Sequence, residues 1–204
     1  MVNDLHTSGE DSLLLAPASY LDRLHFAELF ANPHPVEVEI GAGDGSFIVN
    51  YAAAHPERNF FAIERLLGRL RKIDRKGRRN KLTNLRGFRI EASYALEFML
   101  PVHGAEALHI YFPDPWPKRK HRRNRLINEA FPALAKKCLV SKGVVYLRTD
   151  DLDYFQQMVA VFGAASDFAR IETPAELKSF VTDFERNFHA RGVPTNHAAY
   201  QRRD

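Results

Sequence analysis

The sequence predicts an α/β fold in which a mostly parallel, seven-stranded sheet carries helices on both faces. Three observations predict it: segments with a two-residue apolar period alternate with segments of helical period, turn residues separate them, and 45% of the 204 residues are apolar. A chain of this length and composition is expected to form one domain over residues 1–204. Residues 1–18 are polar and irregular, which predicts a flexible tail at its start.

The predicted strands differ in how they alternate. The first, residues 36–40, alternates apolar and acidic side chains, whereas the fourth, residues 107–112, is strongly apolar. The seven predicted strands are residues 36–40, 59–64, 85–90, 107–112, 143–148, 168–172 and 198–201.

Helices are predicted between these strands, where apolar residues recur every three or four positions. Phe47, Ile48, Tyr51 and Ala52 form one such face, and it ends at His55-Pro56 because proline cannot continue a helix. The predicted helices cover residues 19–30, 47–52, 65–79, 95–100, 125–138, 152–162 and 179–189.

Several classes of protein are disfavoured by composition. No run of roughly 18 apolar residues is present, so no membrane-spanning helix is expected. The N-terminus lacks the basic and apolar regions of a secretory signal, and a cytoplasmic location is expected. The single cysteine, Cys138, cannot form an internal disulfide and lies in an apolar run where burial is expected. No cluster of cysteine and histidine has the spacing of a metal site, so no metal is expected.

Positive charge is concentrated in two segments, although the net charge is only +4. Residues 65–81 hold nine Lys/Arg in seventeen positions, and residues 118–125 hold six in eight. Such clustering favours a polyanion partner, because basic side chains neutralise phosphates and release counterions. The alternative is a pair of solvated helix faces. Nothing in the sequence marks a dimer face, so a monomer and a homodimer both stay open.

Polar or glycine-rich positions follow five of the predicted strands in turn. In parallel α/β sheets the ligand binds beyond the carboxyl ends of the strands, which meet at one edge. The sequence therefore predicts one shared pocket, formed by the glycine turn at residues 41–45, Glu64, Glu91, Asp114 and Asp150.

The glycine turn predicts the kind of cofactor. It reads Glu39-Ile40-Gly41-Ala42-Gly43-Asp44-Gly45, and Glu64 lies 21 residues past Gly43, where an acid accepts hydrogen bonds from ribose hydroxyls. The third glycine comes one residue earlier than in the dinucleotide fingerprint, which disfavours a nicotinamide enzyme. S-adenosylmethionine carries a sulfonium and an amino group but no phosphate, so it suits a pocket rimmed by acids. The alternative is a tight turn in an unrelated α/β protein.

The segment after the fourth strand, Tyr111-Phe112-Pro113-Asp114-Pro115-Trp116-Pro117-Lys118, predicts the reaction site. Its alternate prolines stiffen the loop, and Pro115 biases Asp114 towards an extended backbone that can fix a carboxylate in the pocket. The alternative for Asp114 is a turn or helix-capping role. Trp116 is expected either to stack on a base or to pack in the ordinary way.

This segment resembles the tRNA (guanine-N(7)-)-methyltransferase family, within the Rossmann-like class I methyltransferases that use S-adenosylmethionine. The resemblance covers roughly residues 35–200. It is carried by residues 112–118 with the basic stretch to Leu126, by Arg148-Thr149-Asp150, and by Thr182-Asp183-Phe184-Glu185 with Gly192 beyond. Two positions depart from the family: Glu91 stands where aspartate is usual, and Asn124 interrupts an arginine run.

The resemblance implies methyl transfer to N(7) of a guanosine in the variable loop of tRNA, with Asp114 as the catalytic residue. It implies Glu39, Glu64, Glu91 and Asp114 around the cofactor, beside the turn glycines Gly41, Gly43 and Gly45. It implies substrate contacts from Lys118, Asp150, Thr182, Asp183, Phe184 and Glu185. Phosphate contacts are expected from Arg119, Lys120, Arg122, Arg123 and Arg125.

Two points stay open. Asp114, Asp150 and Glu185 are each candidates to grip the guanine. Methylation of another RNA, and a non-catalytic RNA-binding module on the same fold, are the alternative functions.

Overall fold

The computed structural model describes residues 12–204 and the backbone of residues 6–7. Within them one sheet has nine strands in the order β1-β2-β5-β4-β3-β6-β7-β9-β8. The strands are β1 (His6–Thr7), β2 (Leu14–Ala16), β3 (Val36–Ile40), β4 (Asn59–Ile63), β5 (Leu85–Phe88), β6 (Ala105–Tyr111), β7 (Leu139–Thr149), β8 (Phe168–Ile171) and β9 (Asn196–Arg202).

The predicted fold class is confirmed. Strands β2, β5, β4, β3, β6 and β7 run parallel to one another, while β1, β9 and β8 pair antiparallel with their neighbours. The strand number is corrected from seven to nine, because β1 and β2 extend the sheet beyond β5.

Strand β2 lies in the segment predicted to be a flexible tail, and this part of the prediction is wrong. Leu13 and Leu15 are buried, and the Leu13 amide donates to the Asp74 carboxylate at 2.9 Å. Short apolar runs of three residues are too brief to show a period, which is why the sequence did not reveal the strand. Residues 1–5 and 8–11 of the predicted tail lie outside the described residues.

The helices are α1 (Phe26–Leu29), α2 (Ile48–Ala54), α3 (Leu67–Arg79), α4 (Ala92–Tyr94), α5 (Phe131–Cys138), α6 (Leu152–Gly163), α7 (Ala175–Ser179) and α8 (Asp183–His189). A π-helical turn, Ala95–Met99, continues α4, and a 3-10 helix, Arg119–Asn124, precedes α5. None of the described helices has the length and apolar character needed to cross a membrane.

Three predicted helices are shorter than expected. The helix predicted over residues 179–189 begins at Asp183, where Thr182 and Glu185 form a capping box. The predicted helix over residues 19–30 is reduced to α1, because the Leu24 amide donates to the Met99 carbonyl at 2.8 Å and ties the preceding chain to another segment. The helix predicted from residue 125 begins at Phe131, where Pro132 fits the first turn.

Helices cover both faces of the sheet, as predicted. One face packs against α1, α5, α6 and the π-helical turn, and the other against α2, α3 and α7. Cys138 is buried on the first of these faces, and burial raises the pKa of its thiol to about 11. Its environment is that of a core residue, as the sequence predicted.

The parallel strands place their carboxyl ends along one edge. Glu39 of β3 pairs with Ala62 of β4 on one side and with His109 of β6 on the other. The segments that follow β3, β4, β5, β6 and β7 therefore leave the sheet at neighbouring points along this edge.

Candidate active site

The glycine turn after β3 adopts a backbone that glycine favours. Gly41, Gly43 and Gly45 have φ angles of +77°, +57° and +78°. A side chain at Gly41 would meet no atom within 4 Å, and one at Gly43 would reach only the Gly41 carbonyl oxygen at 3.9 Å. This part of the turn is open to a ligand, because no group of residues 12–204 fills the space beside the backbone.

Gly45 is confined by packing. A Cβ there would lie 2.8 Å from Cγ1 of Ile73 and 3.2 Å from Cγ2 of Val49. The absence of a side chain therefore lets α3 approach the turn closely. This contact accounts for Gly45 by itself, and a cofactor contact from Gly45 stays a prediction.

Gly45→Ala is expected to lower the free energy of unfolding by roughly 2–4 kcal/mol, because it combines overpacking with a left-handed backbone. Urea unfolding of the purified protein measures the change. Gly163→Ala, at the end of α6, is the matched control: nothing lies within 4 Å of its added methyl group, and stability should hold or rise. Equal effects at the two glycines would contradict the packing argument.

Glu64 holds the glycine turn in place. Its Oε2 accepts a hydrogen bond from the Gly43 amide at 3.0 Å, and its Oε1 accepts one from the Leu66 amide at 2.7 Å. Each carboxylate oxygen can accept more than one hydrogen bond. Glu64 therefore keeps acceptor capacity for ligand hydroxyls at the end of β4.

Asp44 is fixed by the basic helix. Lys76 Nζ donates to Asp44 Oδ2 at 2.7 Å and to the Asp44 carbonyl at 2.9 Å. Burial opposes ionisation of this carboxyl, but the hydrogen bond and charge of Lys76, with further hydrogen bonds from Ser46, hold its pKa below the ordinary value. The turn therefore carries a stable negative charge.

Glu39 is buried beneath the turn, with 3% of its surface exposed. Its Oε2 has no hydrogen-bond partner among the described residues. Burial raises the pKa of Glu39 well above its ordinary value; Asp44 and Glu64 add to the rise, and Arg148 opposes it. A buried carboxyl oxygen without a donor is costly, so this position suits a ligand that brings a donor or a positive charge.

Glu91 follows β5 and is exposed. Its Oε2 accepts a hydrogen bond from the Tyr94 amide at 2.9 Å and caps α4. This cap gives Glu91 a structural task, and its contact with the cofactor stays a prediction.

The loop after β6 carries Asp114 on a strained backbone. Phe112 and Trp116 have φ angles of +51° and +43°, a region that non-glycine residues rarely occupy. Such strain persists only where surrounding contacts impose it. Here the Phe112 amide donates to the Arg148 carbonyl at 2.8 Å, and Arg125 Nε donates to the Pro115 carbonyl at 2.7 Å. Asp114 lies between these two anchors, exposed and without a hydrogen-bond partner in residues 12–204.

Asp150 leaves the end of β7 at the same edge of the sheet. Its side chain is half-buried and makes no hydrogen bond or ion pair within the part of the chain that the structure describes. The neighbouring Asp151 instead caps α6, accepting from the Tyr154 amide at 2.7 Å. Of the two adjacent acids, Asp150 is the one free to bind a ligand.

The C-terminal segment 182–185 docks on the turn and the loop. Thr182 and Glu185 form a capping box at the start of α8, and Arg148 donates to Glu185 Oε2 at 3.0 Å. The Asp183 amide donates to Ser46 Oγ at 3.2 Å, and Phe184 stacks on Phe112 with ring centroids 6.2 Å apart.

Comparison with known proteins shows which family this architecture belongs to. Residues 33–198 match a family model described as putative methyltransferase. The tRNA (guanine-N(7)-)-methyltransferase of Syntrophotalea carbinolica is 34% identical over 171 residues, which are 82% of this chain and 74% of that protein. The protein of the same name from Geobacillus sp. is 35% identical over 160 residues, 78% of this chain and 71% of that protein.

The chain belongs to the tRNA (guanine-N(7)-)-methyltransferase family.

Solved structures extend the similarity to the fold. A 30S ribosomal A1408 methyltransferase from an uncultured bacterium superposes with a TM-score of 0.65 at 16% identity, covering 92% of this chain and 96% of that one. The 16S rRNA methyltransferase KamB gives a TM-score of 0.62, covering 88% and 93%. The predicted Rossmann-like class I methyltransferase fold is confirmed.

The residues present fit S-adenosylmethionine, the methyl donor of the family. The open backbone at Gly41 and Gly43 gives a nucleoside room to approach, and Glu64 offers acceptors for ribose hydroxyls. The unpartnered Oε2 of Glu39 suits the amino group of the methionine part. No group of three or more His, Cys, Asp or Glu in the described residues has the arrangement of a metal site.

One predicted phosphate contact of this family member is corrected. Arg125 is 1% exposed, and its guanidinium donates to the Pro115 carbonyl, to Gln157 Oε1 at 2.8 Å and to Asp153 Oδ2 at 2.6 Å. Its side chain anchors the Asp114 loop to α6, so it is not available to a phosphate.

The other basic side chains of this segment remain on the surface. Arg122 is exposed and pairs with Asp153 at 2.9 Å. The remaining cations have no ion pair or hydrogen bond through their side chains within residues 12–204: Lys118, Arg119, Lys120 and Arg123.

Thr182, Glu185 and Arg148 also have roles that the sequence did not reveal. Glu185 is buried, so the alternative that it is a helix-surface acid is wrong, and its Oε2 also accepts from the Thr182 amide at 2.9 Å. Arg148 is buried beside it and lies over the Tyr111 ring at 4.1 Å. An arginine inside an apolar strand was the available signal for this buried ion pair. Substrate contacts from Thr182 and Glu185 stay predictions.

Proposed function

We propose that this protein transfers the methyl group of S-adenosylmethionine to N(7) of a guanosine in tRNA, within the variable loop. The observation that carries the proposal is that Asp114 and Asp150, two carboxylates without partners in residues 12–204, follow the neighbouring parallel strands β6 and β7 at the edge of the sheet that carries the open glycine turn. The names of the relatives support the same substrate and reacting atom. We place the reaction in the cytoplasm, on one domain over residues 1–204, in a monomer or a homodimer.

The chemistry makes small demands on the protein. The cofactor supplies an electrophilic methyl group on a positive sulfur. Guanine N(7) carries a lone pair and no proton, so its attack needs no general base. The protein must therefore hold the base in line with the methyl group, at a separation of about 3–3.5 Å.

Asp114 and Asp150 are suited to hold the base. A carboxylate can accept hydrogen bonds from N(1) and the amino group of guanine. It also stabilises the positive charge that the base acquires as 7-methylguanosine forms. We assign these tasks to Asp114 and Asp150 jointly, and we rank Glu185 below them because it is buried in its pair with Arg148.

Aromatic side chains at the same edge offer stacking surfaces. Phe184 is 58% exposed and stacks on Phe112, two residues before Asp114. Trp116 is 36% exposed and lies two residues after Asp114 in the same loop. Stacking of a base on an aromatic ring is worth about 1–3 kcal/mol. A flipped or loop guanosine is therefore expected to stack here, while Lys118, Arg119, Lys120 and Arg123 contact nearby phosphates.

The deciding experiment is methyl transfer from labelled S-adenosylmethionine to unmodified bulk tRNA, followed by nucleoside analysis. Label in 7-methylguanosine is the expected result. Label in another nucleoside would show that the methyl group goes to a different atom and would contradict the proposed target. Cofactor binding without any transfer to tRNA would favour the non-catalytic alternative or a different RNA.

A pH-dependent prediction arises from Glu39. Its raised pKa means that the cofactor-free protein binds a proton there that the unfolded chain releases, so stability falls as pH rises through the raised pKa. Glutamine cannot ionise, so in Glu39→Gln this contribution to the fall in stability with rising pH should disappear. The melting temperature of the variant should therefore decrease less towards neutral pH than that of the wild type. The same variant should bind S-adenosylhomocysteine about 10-fold or more weakly, because a charged hydrogen bond to the amino group is lost.

Thermal unfolding and calorimetric titration, carried out at a series of pH values from the ordinary pKa of glutamate upwards, measure both effects. Wild-type affinity should rise with pH as Glu39 ionises, and the affinity of the variant should not. Asp167→Asn, an exposed acid paired with Lys136, is the control and should leave both profiles unchanged. Unaltered affinity in Glu39→Gln would remove Glu39 from the cofactor site.

A further inference from the structure

We propose that the solvent face of α3 is a second tRNA-binding surface, which holds the backbone of the same tRNA molecule whose guanosine enters the pocket. This inference rests on the proposed function and gives the enzyme a second area of contact with its tRNA substrate. The α3 surface is defined by Arg69, Arg71, Lys72, Arg75, Arg78 and Arg79.

The two sides of α3 differ sharply in composition. Its inner side packs on the sheet through the buried residues Leu70, Ile73 and Gly77. Its one acid, Asp74, accepts the Leu13 amide of the strand segment, and Lys76 pairs with Asp44. The exposed positions of the helix are therefore Gly68 and the six cations of the α3 surface.

The six side chains of the α3 surface make no polar contact that would stabilise the described part of the fold. None forms an ion pair or a hydrogen bond through its side chain within residues 12–204. Arg71, Arg75 and Arg79 follow one another at four-residue spacing, and like charges at that spacing destabilise a helix by about 0.2–0.5 kcal/mol per pair. A helix face with this cost and no internal partner is explained by an external polyanion.

The position of α3 connects this surface to the pocket. The helix starts three residues after Glu64, at the end of β4, which is one neighbour of β3. The basic loop at Lys118–Arg123 follows β6, the other neighbour of β3. Helix α3 packs on the face of α2, whereas Arg125 fixes that loop to α6 on the opposite face. The two basic areas therefore flank the glycine turn.

The size of the surface indicates what it can hold. At 1.5 Å per residue, Arg69 to Arg79 span about 15 Å along the helix axis, enough for several successive phosphates. A single loop nucleotide in the pocket cannot reach both basic areas. A folded RNA with a second segment beside the target loop can, and tRNA is such a substrate.

An anionic lipid surface fits less well. Helices that lie on membranes insert an apolar face among the lipids. Leu70 and Ile73 are buried against the sheet and Leu67 is partly buried, so the exposed face of α3 would offer a membrane almost only charge. We therefore assign the α3 surface to RNA, and binding to lipid vesicles becomes an outcome of the test.

The test compares two triple variants that remove equal charge. Arg71→Gln/Arg75→Gln/Arg78→Gln alters the α3 surface while keeping good helix formers. Lys142→Gln/Arg170→Gln/Arg203→Gln alters exposed cations towards the far edge of the sheet, at β7, β8 and the end of β9. Steady-state methylation is measured with full-length tRNA and with a short hairpin that carries the target guanosine alone.

The α3 triple should raise KM for full-length tRNA about tenfold or more, and it should reduce the log–log salt slope of tRNA binding by about 2–3. Its kcat, its affinity for S-adenosylhomocysteine and its KM for the hairpin should match the wild type, and its melting temperature should hold or rise because like-charge pairs along the helix are removed. The far-edge triple should match the wild type throughout.

Four results would overturn the inference: an unchanged KM for tRNA, an equal rise with the far-edge triple, an equal rise with the hairpin, or loss of binding to phosphatidylserine vesicles without loss of tRNA binding. Failure of the wild type to methylate tRNA would instead remove the proposed function. In that case tRNA binding by the same variants still decides the α3 surface.

Discussion

Asp114→Asn should lower kcat for tRNA methylation by about 10²–10³-fold, the usual cost of removing one group that stabilises charge in a transition state. The asparagine keeps the shape of the side chain but cannot carry the charge opposite the developing 7-methylguanosine. The loop should remain in place, because Phe112 and Pro115 are held by the Arg148 carbonyl and by Arg125 rather than by Asp114.

Single-turnover methylation and steady-state kinetics measure the change, with melting temperature as the check on folding. Asp150→Asn, assayed in parallel, separates the two carboxylates: loss in kcat marks a contact made in the transition state, and loss in KM alone marks uniform binding. Asp167→Asn serves as the surface control. Near-normal kcat in Asp114→Asn would rule out Asp114 as the catalytic residue.

Arg148→Met should destabilise the protein by about 3–5 kcal/mol, because it leaves the Glu185 carboxylate buried without its partner. Arg148 and Glu185 are each 1% exposed, and Arg148 also donates to the carbonyls of Phe180 and Leu177. The substitution therefore unpairs an acid and removes the link between β7 and the segment before α8.

Urea unfolding of Arg148→Met, Glu185→Leu and the double variant measures the coupling between the two residues. The double variant should recover part of the stability lost by Arg148→Met, since it contains no unpaired charge. Additive losses would show that the ion pair contributes nothing beyond its separate side chains. Methylation should fall in Arg148→Met even where the protein stays folded, because segment 182–185 rests on this pair.

Much of the candidate site could be predicted from the sequence, because in a parallel sheet the order of strands along the chain is enough to show which residues follow their carboxyl ends. Once strands and helices alternate, the glycine turn, Glu64, Glu91, Asp114 and Asp150 must leave the sheet along one edge. The motif at residues 112–118 was the most specific part of the resemblance to the family, and the comparisons confirm the family. The extra strand β2 was missed because three residues carry no period, and its pairing with β5 is a long-range contact.

The sequence by itself therefore determined the fold class, the family and the methyl donor, and it predicted the edge of the sheet at which the pocket lies, because these follow from local periodicity and from short motifs. Only the tertiary structure decided which charged residues are free. Arg123 and Arg125 belong to the same basic run and look equivalent in the sequence. In the structure Arg125 is buried in hydrogen bonds to Asp153 and Gln157, whereas Arg123 is exposed. Glu185 is paired with Arg148, 37 positions away, while Asp114 has no such partner within residues 12–204. A charge binds a ligand only when no residue of the fold already neutralises it, and that depends on partners distant in the sequence.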